Sequence, residues 1–297
     1  MHARQPLEFT KERAQQECGI EHLAKTVWLS EWRKGLLGML TAVFDAGGSE
    51  HDQKCLVVAG FVASAADWIS FDTKWRQRLA DDGIAYFHMV EFAHFDGEFI
   101  GWRNQEARRR QLLADLMGII QSHAYRKFGC TVVNQILTST LSHDLREEFY
   151  MNAYALAGRA SVAQVSQWAA REQTPRQSLE YVFEDGDLGK GKLMQRMKED
   201  GYPAPVFGAK KDRTDPNGNL IRAFTPLQAA DFLAYEMFLG VKRLDDPVSN
   251  PRWAIAEFHK MPGEPGVFRL EDMLDFDKEL MLQKLTYEWW MGLGIKK

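Results

Sequence analysis

No stretch of this sequence approaches the roughly 18 consecutive apolar residues of a membrane-spanning helix. The opening segment MHARQPLEFTKERAQQ also lacks the apolar centre of a signal peptide. These two absences argue against a membrane partner and make the cytoplasm the expected location. Cysteine is scarce: Cys18, Cys55 and Cys130 are an odd number, and the last two lie in apolar, strand-like runs. That excludes a disulfide framework and predicts reduced, buried thiols. There is no HExxH pattern, which argues against zinc hydrolysis. Excess positive charge is missing too, since the formal net charge is −4. The chain as a whole therefore exerts no pull on nucleic acid, and any phosphate contact has to be local. Two basic clusters could supply it: Arg108, Arg109 and Arg110, or Lys210, Lys211 and Arg213. Internal repeats and low-complexity linkers are absent as well, which excludes a solenoid or a tethered pair of modules.

What is present suits one large folded unit. Of the 297 residues 45% are hydrophobic and 12% aromatic, enough for a sizeable core. Residues 1–36 are polar and helical in character and read as an N-terminal extension to a domain spanning 37–297. Strands are expected at 40–45 and 55–64, joined by a polar turn as a hairpin. A helix at 67–80 follows, with Trp68, Phe71, Trp75 and Leu79 at helical spacing. Further strands are expected at 84–90, 127–137 and 178–185, with another in APVFGAKKD before the turn DPNGN at 215–219. Helices are expected at 104–122, from Ser142 to about Glu172, and in GKLMQRMKED. The clearest helix is TPLQAADFLAYEMFLG, with Thr225 as its cap, Pro226 in its first position and Gly240 closing it. The tail at 270–292 suggests a C-terminal helix carrying Trp289 and Trp290. Strands alternating with helices make this an α/β protein.

Several carboxylates stand where the pattern does not want them. Asp45 ends an apolar strand and is followed by Ala46, Gly47 and Gly48, so the backbone behind it is open to close approach. A turn-opening aspartate would look the same. Glu184 ends another strand, with Asp185 and Asp187 beside it, and three acids within four residues repel unless a cation, a basic side chain or solvent relieves them. Asp231 lies between Leu227, Ala234 and Phe238 in the apolar stripe of its helix, where an unpaired carboxylate costs several kcal/mol. It needs a partner, either structural or a metal. Two strand-end acids and one helix acid can converge, and all-oxygen donors suit Mg²⁺ or Mn²⁺. Two such ions can activate water and stabilise a leaving oxygen in phosphoryl displacement. His88, near Glu91 and His94, adds a possible proton carrier or metal ligand.

In order along the chain, FDAGG at 44–48, the pair Phe87 and His88, VFEDGD, and LQAADFLAY at 227–235 resemble the prokaryotic and phage family called domain of unknown function 3800. That family looks like a branch of the ribonuclease H-like superfamily, and the resemblance covers roughly 40–240. It implies a central mixed sheet flanked by helices, and Mg²⁺ or Mn²⁺ held by Asp45, Asp231 and either Glu184 or Asp185. It gives Gln228 and His88 supporting roles, and it implies metal-dependent cleavage of a phosphodiester in DNA or RNA. The chain departs from the family at Ala46 and Gly47, where Glu and Ser are usual, which weighs against full activity. A non-catalytic protein that binds nucleic acid or a protein partner is therefore the alternative. A weaker one is a nucleotide hydrolase, because Gly186 to Lys192 satisfies GxxxxGK, although Leu193 replaces the metal-binding Ser or Thr and Asp187 would point charge at the phosphates.

Overall fold

The computed structural model describes residues 39–48, 54–148, 151–172, 178–214, 216, 218–243, 252–263 and 266–268. The expected N-terminal extension at 1–36, Cys18 and the aromatic tail at 270–292 fall outside these residues. A six-stranded mixed sheet runs through the centre. Its first hairpin is β1 (Leu40–Gly48) and β2 (Cys55–Ser64), antiparallel with Val43 opposite Phe61. Nearly every residue of β2 is buried, because apolar side chains meet helices on both faces of the sheet. β3 (Arg126–Val133) lies antiparallel to β2, and β4 (Leu179–Glu184) lies parallel to β1 on its other side. Short strands complete the edges: β5 (Val206–Gly208) beside β4, and β8 (Gly266–Phe268) beside β3, both parallel. The order is β5-β4-β1-β2-β3-β8. A separate two-residue ladder pairs β6 (Arg213–Thr214) with β7 (Leu220–Ile221) across the expected turn.

Period-2 alternation sorts the strand side chains between two cores. On one face, Val43, Val57, Ala59 and Phe61 pack against α1 (Ala65–Asp81), α3 (Glu106–His123), α8 (Pro226–Lys242) and α9 (Trp253–His259). On the other face, Phe44, Val58, Tyr181 and Phe183 pack against α6 (Ala153–Arg171) and α7 (Lys190–Glu199). The stripe Trp68, Phe71, Trp75 and Leu79 on α1 is fully buried, as its spacing requires. Each such side chain contributes roughly 1.5–3 kcal/mol by leaving water. The expected thiol burial holds for Cys55 and Cys130, both free and buried.

Several expected elements differ. The strand at 84–90 is absent: 84–88 is extended coil, and Met89–His94 forms the short helix α2. Ile84, Phe87 and Met89 are buried, but their spacing alternates only from Phe87 to Met89. The N–H groups of Phe87 and Met89 donate to the side chains of Gln228 and Asp231, not to a neighbouring strand. The strand at 127–137 stops at Val133, and Asn134–Thr140 turns into helix α4. The long helix from Ser142 divides into α5 (His143–Glu148) and α6, where Asn152 accepts from the N–H of Ala155 and starts a new helix. The late helix continues past Gly240 to Lys242. Thr225 does occupy its cap position, but its hydroxyl donates to Asp72 instead of serving the helix.

Candidate functional site

β1, β4 and β5 run parallel, and their carboxyl ends deliver side chains to one place, the crevice position where open α/β sheets bind ligands. β1 supplies Asp45, β4 supplies Glu184, and the turn after β5 supplies Lys210. Helix α8 crosses the end of β1 and adds Asp231. It comes this close because Ala230 and Ala234 are small and Gly47 has no side chain: a Cβ at Gly47 would lie 2.7 Å from the carbonyl oxygen of Ala234. The Ala46-Gly47 pair therefore has a packing reason on the glycine side.

Three carboxylates converge on one ammonium. The Nζ of Lys210 lies 2.9 Å from Asp45 Oδ2, 2.9 Å from Glu184 Oε2 and 3.1 Å from Asp231 Oδ1. All four groups are largely buried. Glu184 therefore occupies the place that Asp185 could also have taken, since Asp185 turns outward to Lys190 at 2.6 Å and Arg213 at 2.7 Å. Those two cations hold its carboxyl below the ordinary range. Asp187 stays close: burial, then the charge of Asp45, pushes it up to about 6, and it neighbours the buried hydroxyl of Tyr154.

One positive charge does not balance three negative ones, and protonation takes up the excess. Burial, then the charge of Asp45, pushes Glu184 up to about 9 against the pull of Lys210. Burial likewise raises Asp231 to about 6, with Lys210 opposing and Asp45 adding to the rise. For Lys210 burial alone would favour the neutral amine, but Asp45, Asp231 and Glu184 outweigh it and keep the ammonium charged well above the usual lysine range.

His88 borders the cluster, with Nε2 3.7 Å from Asp231 Oδ1 and Nδ1 3.3 Å from Glu91 Oε1. Glu91 also accepts from the hydroxyl of Tyr86, whose own ionisation is pushed up to about 12 by burial and by Glu91. Lys210 and His88 divide two clefts. One, of about 580 Å³, is lined by Ala46, Gly48, Tyr235, Phe238 and Lys242. The other, of about 410 Å³, is lined by Tyr86, Glu184, Lys211 and Arg213.

Several expected roles move. Gln228 does not face a ligand: its Oε1 accepts from Trp75 and Phe87, and its Nε2 donates to the carbonyl of Lys210. It pins the His88 segment and the Lys210 turn onto α8. Lys210 was expected with Lys211 among phosphate-facing cations, but three acids draw it inside, while Lys211 stays at the second cleft over the ring of Tyr86. Arg108 and Arg109 are engaged elsewhere, Arg108 with Asp82 and the Trp102 ring, Arg109 with the rings of Phe92 and Phe95. In the GxxxxGK segment Lys192 pairs with Glu147 at 2.6 Å and Leu193 is fully buried, so that lysine is turned away from the loop it would have to serve. The sequence reading missed the central place of Lys210. The apolar setting of Asp231 signalled that a partner was needed but not which.

Among the described residues no group of three or more His, Cys, Asp or Glu side chains is arranged to hold a metal ion directly, since the acids are drawn around the lysine. The donor chemistry nonetheless suits a hard cation: oxygens only, from three separate elements, already gathered around one positive charge. No protein family, no curated protein and no solved structure matches this chain. No described helix is long and apolar enough to cross a membrane.

Proposed function

We propose that this chain is a ribonuclease H-like hydrolase that cleaves phosphodiester bonds of nucleic acid with Mg²⁺ or Mn²⁺. The observation that carries the reading is the convergence of Asp45, Glu184 and Asp231, from two adjacent strand ends and a helix, on one cation position. The strand order β3-β2-β1-β4-β5, with β2 alone running against the others, supports the ribonuclease H-like assignment. Asp45, Glu184 and Asp231 are the residues that would hold the ion. When bound, a divalent cation supplies an activated water and charge stabilisation for a phosphoryl displacement.

The chain's own residues do the rest. Nδ1 of His88 lies 3.3 Å from Glu91 Oε1, which orients the ring so that Nε2 faces Asp231 at 3.7 Å, where an imidazole nitrogen can act in proton transfer. The N–H of Met89 donates to Asp231 Oδ2 at 2.6 Å and fixes the carboxylate's orientation. Lys211 and Arg213 line the second cleft and can meet phosphate oxygens. With a net charge of −4, such local cations have to supply the attraction to a polyanion.

A second reading, a protein that binds nucleic acid or a protein partner without cutting, is favoured by Lys210 standing where the ion would be and by Ala46. One experiment separates the two. Labelled single- and double-stranded DNA and RNA are incubated with the protein in Mg²⁺, in Mn²⁺ and in EDTA, beside Asp45→Asn. Cleavage that needs the cation and disappears in the variant is the expected result. Cutting that survives both EDTA and the substitution overturns the proposal, and binding with no cutting in any condition supports the second reading.

A further inference from the structure

The position of Lys210 carries a consequence for how the site works, and it rests on the reading just given. A lysine whose ammonium touches three buried carboxylates at 2.9–3.1 Å occupies the volume a metal would need. Oxygen ligands stand about 2.1 Å from Mg²⁺, so an ion drawn to the centre of these three oxygens meets the ammonium already there. We propose that Lys210 is the resident cation of the site, that a divalent ion binds by displacing its ammonium, and that the released side chain then serves as a phosphate-binding residue in the neighbouring cleft.

The surrounding geometry fixes the backbone of Lys210 separately from its tip. The carbonyl of Lys210 is held by Gln228 Nε2 at 2.6 Å, and the carbonyl of Ala209 by the N–H of Phe224 at 2.9 Å. The side chain's ion pairs are all made at Nζ, and a lysine stem has four rotatable bonds through which that tip can swing. It already borders the cleft of about 410 Å³ that also presents Lys211 and Arg213. A third cation there would join Lys211 and Arg213 in a cleft that Glu91, Glu184 and Asp185 also line, and would raise its share of positive charge. Charge balance favours the exchange as well: a divalent ion offsets two of the three acids where the ammonium offsets one, and the ammonium regains solvent and phosphate partners. Competition has a quantitative cost. If the lysine-out arrangement is a minor state, apparent metal affinity is lowered by the fraction of protein that is in it.

Two measurements on the full chain test this, both without substrate. The first compares Mn²⁺ binding by calorimetry to the wild-type protein and to Lys210→Met, with Lys210→Gln as a milder variant. Removing the competitor should tighten binding by about tenfold or more, the gain expected when the competent state is populated at 10% or less. The second uses wild-type protein alone and so does not depend on either variant folding. Brief acetylation with acetic anhydride, read by peptide mass spectrometry, should leave Lys210 unmodified without Mn²⁺ and modify it with Mn²⁺. Lys260, which is 66% exposed, should be labelled in both conditions and serves as the control. If Mn²⁺ binds the wild type and the variants equally, or binds while Lys210 stays protected, the exchange is overturned and the metal-dependent reading stands. If Mn²⁺ binds none of the proteins, both fall.

Discussion

Helix α8 carries two buried acids that the protein treats differently. Glu236 is fully buried and is met by one arginine, whose Nε and Nη2 lie 2.7 and 2.8 Å from its two oxygens. Charge and hydrogen bonds are matched one to one, in the bidentate geometry that makes Arg252 a good structural partner. Five residues earlier, Asp231 is 4% exposed and shares one lysine with two other acids. The Glu236 end is satisfied, whereas the Asp231 end is short of positive charge. On the proposed reading, the balanced acid serves structure and the unbalanced one keeps an electrostatic demand that a ligand can meet.

The largest expected effect breaks the unbalanced end. Asp231→Asn keeps the shape and can still accept from the N–H of Met89, but it removes one of three crowded charges. Metal-dependent cleavage should fall about a hundredfold or more, because the ion loses a ligand and its fixed geometry. Thermal stability in EDTA should match or exceed that of the wild type, and Mn²⁺ should raise the melting temperature less. A variant that melts far below wild type in EDTA would show Asp231 to be structural.

Glu236→Gln is the counterpart, with the opposite signature. It leaves Arg252 without its charge partner. Because that side chain is about one-third exposed, the cost should lie near the low end of what breaking a buried pair costs, about 3 kcal/mol. Denaturant unfolding should show the loss while cleavage per folded molecule is unchanged. Equal damage to activity would erase the contrast between the two ends.

The effect least tied to a single residue is a change of stability with pH. Glu184 is raised from an ordinary 4.5 to about 9, and Asp231 from 3.8 to about 6. The folded protein therefore holds protons that the unfolded chain has already released, and the sign follows: stability falls as pH rises. Asp231 contributes to the decline up to about pH 6 and Glu184 carries it on toward 9. Melting temperatures measured in EDTA between pH 5 and 8 should decline. In Mn²⁺ the decline should flatten, since a cation among the acids favours their charged forms. Identical slopes in the two conditions would remove the metal from the account.

Much of this was legible in the chain itself. The β1–β2 hairpin, the buried stripe of α1 and the late helix all follow from periodicity, because those elements are long and strongly patterned. Asp45, Glu184 and Asp231 stood out as acids in apolar settings. The segment at 84–90 misled because an apolar, β-like run describes any extended chain, whether its N–H groups meet a strand or, as here, the side chains of Gln228 and Asp231. No local signal could distinguish these, since the partners lie about 140 residues away.

The sequence by itself determined which residues are apolar, which acids lack a local reason to be there, and that Asp231 needed a partner. Those are properties of composition and of spacing within one element. Only the tertiary structure decided that the charge is Lys210, that Glu184 and not Asp185 faces it, and that Gln228 serves the scaffold. Each of those outcomes depends on how three parallel strands end together and on how closely α8 approaches Gly47. Electrostatic energy depends on distance through space, and distance along the chain does not report it.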